Sequence, residues 1–371
     1  MPIWIWQQPG WPVFRYDEKA LLGLLGQARL KQGKLMGLSA LLDGGLSLQA
    51  RAQILIEESL NTSAIEGECF DLDALRSSVA RHLGLPTTGL PVAPRAVDGL
   101  IEVLLDATSG FAQPLTLQRL FGWQAALFPT GYSGLFEVRT GALRGDEPMR
   151  VVSGPVGREK VHFEAPPQTG LDAQLAEFLT WFENPPAGLD GLLRAGLAHL
   201  RFVTLHPFED GNGRLARAIT DMALCRDEGQ AVRMFSMSAQ IMRNREAYYA
   251  VLESTQRGGL DVTQWLAWFL GAVSAACDQS ETTVGRVIAK AKFWLHHQNT
   301  ELNERQRKAL NRLLDVGADG FEGGMNTRKY ASLNKTSRAT AYRELADLVG
   351  KKCLVQVGEG RSTRYGVTVL T

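Results

Sequence analysis

Residues 206–217 read His-Pro-Phe-Glu-Asp-Gly-Asn-Gly-Arg-Leu-Ala-Arg, which combines a base, carboxylates, a glycine-rich turn and two arginines. Apolar residues at helical spacing on both sides predict one helix that ends near Thr204 and another that begins near Gly213. Glycines at 211 and 213 allow the connecting loop to turn sharply and to approach a ligand closely, while the first amides of the second helix lack partners. Such a helix start is suited to bind a phosphate group.

The charged side chains of this loop agree with a phosphate site. Arg214 and Arg217 lie in the first helical turn, where cations oppose the helix dipole and so favour a bound polyanion. Asp210 is suited to Mg²⁺, which is usually held by one or two carboxylates together with substrate phosphates. His206 is placed to act as general base for a hydroxyl that attacks phosphorus, and Phe208 is expected to point inward. Taken singly, a histidine at a helix end is usually a capping or core residue, and Asp-Gly-Asn-Gly is usually a turn.

Composition and length bound the class of protein. The chain has 371 residues, of which 45% are hydrophobic, and this length predicts two or three domains. No apolar run approaches the roughly 20 residues of a membrane span. The N-terminus lacks the basic start and apolar block of a signal peptide, so we expect a cytoplasmic protein. The cysteines show no metal-binding or redox spacing and are expected to be buried thiols; they are Cys69, Cys225, Cys277 and Cys353.

Apolar spacing and glycine and proline clusters divide the chain into regions, and they predict a mainly α fold. A helical N-terminal region covers residues 1–92, and a mostly helical core covers 93–285. Within the core, apolar residues alternate around Ser153-Gly154-Pro155, which predicts a β-hairpin between Thr140 and Phe163. A connecting helix is expected over 286–300, followed by a C-terminal domain over 301–371.

Every defined position of the signature of the Fic (filamentation induced by cAMP) family, His-x-Phe-x-(Asp/Glu)-Gly-Asn-Gly-(Arg/Lys)-x-x-Arg, is filled by residues 206–217. The chain resembles this family over roughly residues 95–280. The resemblance implies transfer of AMP from ATP to a Ser, Thr or Tyr hydroxyl of a protein, including the enzyme itself, with Mg²⁺ as cofactor. It assigns the general base to His206, Mg²⁺ binding to Asp210, the phosphate cradle to Gly211, Asn212 and Gly213, and the β- and γ-phosphates to Arg214 and Arg217.

The same resemblance gives roles to two other parts of the core. In this family a hairpin beside the active site pairs with an extended segment of the target, a form of strand addition. The residues of that hairpin here are Val151, Val152, Ser153 and Gly154. An ordinary surface hairpin is the alternative. The family's nucleoside wall corresponds to Tyr248, Tyr249 and Gln256, although by periodicity alone the two tyrosines are as typical of a core.

A second motif, Thr62-Ser-Ala-Ile-Glu-Gly67, ends a predicted helix with glycine as C-cap. Glu66 would lie at the negative end of the helix dipole, which is mildly unfavourable unless a cation meets it. The motif resembles the inhibitory helix of the family, (Ser/Thr)-x-x-x-Glu-(Gly/Asn), here over about 61–67. The resemblance implies that Glu66 pairs with Arg217 and blocks placement of the γ-phosphate, as in class II Fic proteins. Some relatives also remove AMP with this glutamate, so a bifunctional enzyme is an alternative.

The C-terminal region is basic. Residues 326–371 contain nine Lys or Arg and three Asp or Glu, whereas the whole chain has a net charge of +1. Its predicted order of helices followed by a strand pair resembles a winged helix-turn-helix. In a DNA-binding role, Arg338 and Arg343 would approach the groove while Arg361 and Arg364 contact phosphate. A module for dimerisation or target docking is the alternative, because a fold alone does not define a function.

Other functions stay open at this level. A transcription regulator whose Fic-like core only senses nucleotide would carry the same motifs, and a donor other than ATP is possible. A kinase-like branch of the family carries lysine at the last glycine of the cradle, and Gly213 argues against it.

Overall fold

The computed structural model describes residues 4–40, 42, 44–155, 157–231, 233–316, 324–358 and 360–368. It divides into two compact units, of which the first comprises Met1–Ser39 and Arg51–Ser280 and the second Ala40–Ala50 and Glu281–Thr371. The described residues are mainly helical and contain three antiparallel pairs of short strands, which confirms the predicted fold class. No helix in the described ranges is long and apolar enough to cross a membrane.

Helices form most of the first unit, and two of them, α2 and α11, also contribute residues to the second. Their bounds are α1 Glu18–Ser39, α2 Gly44–Ile65, α3 Leu72–His82, α4 Arg95–Ser109, α5 Leu117–Leu127, α6 Leu171–Glu183, α7 Gly191–Leu205, α8 Asn212–Glu228, α9 Met237–Arg243, α10 Arg245–Gln256 and α11 Thr263–His296. The strands are β1 Tyr132–Ser133 paired with β2 Phe136–Glu137, and β3 Arg150–Ser153 paired with β4 Lys160–Glu164.

Several elements differ from what the sequence predicted, among them the short helix α9 and the strand pair β1–β2, which were not predicted. The segment 286–300 was expected to be a separate connecting helix, but α11 runs without a break from Thr263 to His296 and includes most of it. The apolar pattern changes along this helix, although no proline or glycine cluster interrupts its backbone. Helix α3 was not predicted, because Ser77 and Ser78 lie on its buried side and interrupt the apolar stripe.

The centre of the first unit is the antiparallel pair α7 and α8. Every residue from 197 to 205 in α7 is buried, and so is most of α8, as expected for a helix enclosed by others on all sides. At Gly196 a Cβ atom would lie 3.0 Å from both Leu266 and Phe269, so this glycine allows α11 to approach α7 closely. Trp265 donates a hydrogen bond from Nε1 to the Gly196 carbonyl at 2.8 Å. The loop between α7 and α8 therefore joins two closely packed, buried helices.

The N-terminal aromatic segment packs on the hairpin β3–β4. The ring of Trp4 meets that of Phe163 edge-on at 5.4 Å, and Trp6 donates from Nε1 to the Glu164 carbonyl at 2.8 Å. Arg257, just after α10, donates to the carbonyl of Val161 at 2.6 Å and lies over the Trp4 ring. Strand β4 of the hairpin is thus attached both to the N-terminal segment and to Arg257.

The cysteines agree with the sequence in three of four cases. Cys225, Cys277 and Cys353 are buried, and burial raises the pKa of Cys277 to about 12, which keeps its thiol protonated. Cys69 is exposed and corrects the expectation for that residue, because it follows the end of α2 in an open connection.

The second unit has its own core. Its elements are the end of α11, α12 Glu304–Val316, α13 Thr327–Leu333, α14 Arg338–Gly350, β5 Leu354–Val357 and β6 Arg364–Val367. Met325 forms an antiparallel bridge to Tyr365 in β6. Leu345 and Leu348 of α14 are fully buried beside Tyr330, whose hydroxyl donates to Glu344 at 2.9 Å. The helices and the strand pair follow one another in the order predicted from the sequence.

Candidate active site

The loop between α7 and α8 is held in one shape by its own residues. His206 ends α7 in the left-handed conformation, with φ 49° and ψ 57°, which is uncommon for a residue other than glycine. Gly211 takes φ 88° directly before α8. The buried Asn212 accepts from the Phe208 amide at 3.0 Å and donates to the Phe208 carbonyl at 2.8 Å. Phe208 is fully buried, as the sequence predicted.

Arg144 attaches this loop to the segment that precedes the hairpin. Its Nε donates to the His206 carbonyl at 2.9 Å, and its backbone N–H donates to the Pro207 carbonyl at 3.0 Å. Burial lowers the pKa of Arg144, which is only 3% exposed. No motif or spacing in the sequence marks this residue, which lies 62 positions before His206. It is a positioning residue for the loop.

A cavity of about 530 Å³ opens beside the loop, a volume within the range of small-ligand sites. Residues of the predicted site that line it are Glu66, Val151, Val152, Ser153, His206, Asp210, Asn212, Gly213, Arg217, Tyr248, Tyr249 and Gln256. Residues that the sequence did not predict are Phe163, His162, Val203, Arg245, Leu252 and Glu253. Gly154, Gly211 and Arg214, which were also predicted, are not among the lining residues. The structure therefore gathers most of the predicted residues around one space.

The imidazole of His206 is uncharged at neutral pH. The pKa of His206 is lowered to about 4, chiefly by burial and also by nearby Arg144, while the hydrogen bond with the Val203 carbonyl and the charges of Glu66 and Asp210 act in the opposite direction. Nδ1 lies 3.3 Å from the Val203 carbonyl. We assign the ring proton to Nδ1, which donates to that carbonyl, so Nε2 is free to accept a proton.

Asp210 supplies the carboxylate of the loop. One of its oxygens accepts from the Gly211 amide at 2.6 Å, and the residue lines the cavity. Among the described residues there is no group of three or more His, Cys, Asp or Glu side chains that could hold a metal on its own. A single carboxylate beside a helix start with unpartnered amides is chemically compatible with Mg²⁺, which is usually held by one or two protein carboxylates with water and phosphate oxygens.

Glu66 and Arg217 form an ion pair at the edge of the cavity. Arg217 donates from Nη2 to Glu66 Oε1 at 2.7 Å. It also donates from Nε to Thr62 Oγ1 at 2.7 Å, and the Thr62 carbonyl accepts from Nη2 at 3.0 Å. Burial acts to lower the pKa of Arg217, but Glu66 together with Tyr248 and Tyr249 outweighs it, and the pKa is raised. The guanidinium is only 1% exposed, so its orientation is set by the end of α2.

Gly213 makes room for this pair. A Cβ atom at position 213 would lie 2.2 Å from Glu66 Oε1 and 3.2 Å from Arg217 Nη1. Only glycine therefore allows the glutamate to lie across the first turn of α8. The sequence analysis attributed Gly213 to the close approach of a phosphate, and the proximity of Glu66 is a second reason for glycine at this position.

A second acid meets the other arginine of the loop. Arg214 donates from Nη1 to Glu68 Oε2 at 2.8 Å, and its guanidinium lies 4.9 Å from the centre of the Phe128 ring. Its side chain is 4% exposed. The contact of Glu68 was not predicted, because Glu68 lies two positions after Glu66 and outside the motif that the sequence analysis recognised. Both arginines are thus paired with acids at the end of α2.

Helix α10 forms the opposite wall. Tyr248 is 2% exposed, and its hydroxyl lies 3.0 Å from Nε2 of the buried His199, so this tyrosine belongs to the core and to the cavity wall. Tyr249 is 39% exposed and donates to the Ile65 carbonyl at 3.3 Å. Gln256 donates to Thr204 Oγ1 at 3.3 Å. The structure brings all three predicted wall residues to one face.

The hairpin carries a chain of polar contacts that the sequence did not reveal. Ser153 Oγ lies 2.6 Å from His162 Nε2, and His162 Nδ1 lies 2.7 Å from Glu253 Oε2 on α10. The hydrogen bond from His162 lowers the pKa of Glu253. These residues come from two strands and a distant helix, so their sequence spacing could not show the contact.

The loop between α7 and α8 thus brings a neutral imidazole, a carboxylate and two arginines to one end of α8, and comparison with known families bears on its class. Residues 114–224 match the Fic/DOC family, and residues 4–85 match a domain of unknown function, DUF4172. Residues 114–224 of the chain thus form a Fic/DOC domain.

Curated relatives share parts of this region. The chain is 33% identical over 88 residues to protein adenylyltransferase fic-1 of Caenorhabditis briggsae, covering 24% of this chain and 16% of that protein. It is 33% identical over 119 residues to a uridine 5'-monophosphate transferase of Xanthomonas campestris pv. campestris, covering 30% and 21%. A probable protein adenylyltransferase of Aquifex aeolicus is 26% identical over 105 residues, covering 28% and 30%. The chain spans less than a third of the length of these relatives.

Solved structures share the fold. A Fic family protein from Desulfovibrio desulfuricans superposes with a TM-score of 0.55 at 19% identity, covering 97% of this chain and 98% of that one. A Fic domain containing signaling protein from Bacteroides thetaiotaomicron gives 0.53 at 18% identity, covering 71% and 96%.

Proposed function

We propose that this protein is an adenylyltransferase that transfers AMP from ATP to a Ser, Thr or Tyr hydroxyl of a protein, including itself. The observation that carries the proposal is the neutral, partly buried His206 that lines a cavity together with Arg217, Asp210 and the first turn of α8. Relatives that match parts of the chain are named protein adenylyltransferases, which agrees with this reaction.

In the proposed reaction His206 acts as general base. Its Nε2 accepts the proton of the target hydroxyl, the hydroxyl oxygen forms a bond to the α-phosphorus, and the bond to pyrophosphate breaks. The unpartnered amides at the start of α8 bind phosphate oxygens, and Arg217 holds the γ-phosphate once it is free of Glu66. Arg214 would hold the β-phosphate. Asp210 would bind Mg²⁺, which neutralises phosphate charge when it is present.

The target is proposed to dock on strand β3. All four residues of β3 are exposed, and among the described residues this strand pairs with β4 alone. An extended segment of a target could therefore add to its other edge, with Val151 and Val152 presenting apolar side chains and Gly154 forming the turn. Tyr248, Tyr249 and Gln256 are proposed to contact the nucleoside.

The resting enzyme is proposed to be inhibited by the end of α2. Glu66 occupies Arg217, and Glu68 occupies Arg214, so neither guanidinium is available to a triphosphate. Removal of the Glu66 carboxylate leaves Arg217 bound to Thr62 Oγ1 and to the Thr62 carbonyl, which keeps the guanidinium in place. Release of Glu66 is therefore expected to activate the site without collapsing it.

The test compares nucleotide donors in the Glu66→Gly protein. Incorporation of label from ATP carrying radioactive α-phosphate is measured alone and with excess unlabelled UTP, because one relative is a UMP transferase. The proposal predicts incorporation that unlabelled ATP suppresses and UTP does not. A preference for UTP would show another donor, and absence of incorporation from any nucleotide would overturn transferase activity.

Removal of AMP is a second candidate activity. It is favoured by the position of Glu66, whose side chain is 32% exposed and lines the cavity together with His206. A carboxylate there could orient a water molecule. Release of AMP from a labelled protein by the wild-type enzyme, and its loss in Glu66→Gly, would support this activity.

We also propose that residues 301–371 form a winged helix-turn-helix. The order of α12, α13, α14 and the strand pair supports this assignment. A DNA-binding role would make the protein a regulator, and a docking or dimerisation role would leave the domain as a partner-binding module.

A further inference from the structure

Three side chains beside the cavity form a serine–histidine–acid chain. Ser153 Oγ lies 2.6 Å from His162 Nε2, and His162 Nδ1 lies 2.7 Å from Glu253 Oε2. All three residues line the cavity that holds His206. The side chains of His162 and Glu253 are 27% and 26% exposed, while Ser153 is exposed. The serine is thus open to a reactant while its two partners are partly shielded.

The hairpin register brings the serine and the histidine together. Ser153 of β3 faces Lys160 of β4, and His162 lies two residues farther along β4. The register shifts between Val151 and Val152, so His162 is an extra residue of β4 at a β-bulge, and its side chain meets Ser153 Oγ at 2.6 Å. Helix α10 supplies the acid to the same imidazole.

Glu253 is held by a second contact that leaves one oxygen for the histidine. Arg257 lies 3.2 Å from Glu253 Oε1 and donates from Nη2 to the Val161 carbonyl at 2.6 Å. The other oxygen, Oε2, meets His162 Nδ1. Because the carboxylate fixes the proton on Nδ1, Nε2 is left to accept the proton of the Ser153 hydroxyl, which is the arrangement that activates serine nucleophiles.

We propose that Ser153 is an activated nucleophile and the internal acceptor of AMP, with His162 as its base and Glu253 as the residue that positions this base. The acceptor role rests on the proposed function, which supplies ATP as donor. Ser153 Oγ forms a bond to the α-phosphorus, its proton passes to His162 Nε2, and the bond to pyrophosphate breaks with pyrophosphate as leaving group. The product is a phosphodiester between Ser153 and AMP.

This modification has a consequence for target binding. Ser153 ends β3, the strand on which an extended target segment is proposed to dock. A nucleotide on this hydroxyl adds bulk and negative charge at that edge. Self-modification would therefore compete with modification of a target.

Peptide mapping tests the acceptor. Cleavage after Arg150 and Arg158 gives a peptide, Val-Val-Ser-Gly-Pro-Val-Gly-Arg, in which Ser153 is the one side-chain hydroxyl. After incubation of Glu66→Gly with ATP and Mg²⁺, this peptide is expected to gain the mass of one AMP group. The rate of gain is expected to fall by about 10²-fold or more in Glu66→Gly/His162→Gln, because general base catalysis is lost. The exposed Ser254, whose hydroxyl only meets a carbonyl of its own helix, provides the control Ser254→Ala, which should leave the gain unchanged.

A fluorophosphonate probe tests the nucleophile without ATP. The wild-type protein is expected to be labelled at Ser153, and labelling should fall by a similar factor in His162→Gln and be weakened in Glu253→Gln. Equal labelling of the wild type and His162→Gln, or no labelling of Ser153, would overturn the activated serine and show that these contacts only hold the hairpin to α10.

The two proposals fail in different ways. AMP on other residues of Glu66→Gly but not on Ser153 would overturn the acceptor role and leave the transferase. AMP on no residue, with Ser153 still labelled by the fluorophosphonate, would overturn the transferase and the acceptor role and leave only the activated serine.

Discussion

Replacing Glu66 should release the site by an amount that its contact with Arg217 sets. The pair joins a guanidinium that is 1% exposed to a carboxylate whose side chain is 32% exposed, at 2.7 Å. A hydrogen bond to a charged group contributes about 1.5–3 kcal/mol, which corresponds to a ratio of inhibited to released enzyme of about 10 to 150. Glu66→Gly should therefore raise the initial rate of AMP incorporation by about 10- to 100-fold.

The assay is incorporation of labelled AMP under initial-rate conditions at several ATP concentrations. Because Glu66 competes with the γ-phosphate for Arg217, part of the gain should be a lower KM for ATP. The matched variant Glu66→Gln keeps the size of the side chain and loses its charge, so its rate should lie between those of the wild type and Glu66→Gly. A change of less than about 3-fold in Glu66→Gly would refute the reasoning, since it would correspond to under 1 kcal/mol.

The pKa of His206, lowered to about 4 by burial, predicts that the neutral, active form persists down to mildly acidic pH. In Glu66→Gly the kcat/KM for ATP should be flat between pH 6 and 8 and decline only as the pH falls towards the pKa of His206. Loss of the Glu66 charge lowers this pKa further. A decline centred near pH 6.5, the ordinary pKa of histidine, would contradict this expectation. Gly213→Ala should lower the melting temperature of the wild type, because the added Cβ would lie 2.2 Å from Glu66 Oε1. The same substitution should lower the melting temperature of Glu66→Gly much less. Equal decreases in melting temperature would show that positions 66 and 213 are not coupled. For the C-terminal unit, a DNA-binding role predicts that the full chain is retained on duplex DNA at low salt and that Arg338→Ala/Arg343→Ala reduces this retention and its salt dependence, whereas no retention at any salt would support a docking role.

The loop could be predicted because its groups are local. His206, Asp210, Gly213 and the two arginines lie within one loop and one helical turn, so their spacing alone determines which side chains meet a ligand. The contact between Glu66 and Arg217 could not be predicted from local spacing, because the two residues lie 151 positions apart and only a family resemblance joined them.

Residues that act through tertiary contacts escaped the sequence. Arg144 reaches the loop from 62 positions away, and His162 meets Glu253 across 91 positions. Such pairs have no periodicity or spacing of their own. Glu68 lies close to a recognised motif, but its contact with Arg214 depends on the direction the chain takes after α2, and tertiary packing determines that direction.

The length of α11 was also outside what local patterns show. The spacing of apolar residues changes near residue 286, and this change predicted the start of a new helix. The backbone continues because nothing in that stretch breaks a helix.

Intact-mass analysis of Glu66→Gly and of Glu66→Gly/His206→Ala, each incubated with ATP and Mg²⁺, tests the central claim most directly. We expect the first protein to gain one or more AMP groups and the second to gain none on any residue other than Ser153, whose own base is His162. An unchanged mass for Glu66→Gly, or AMP groups that persist on residues other than Ser153 when His206 is replaced, would contradict a transferase that uses His206 as its base.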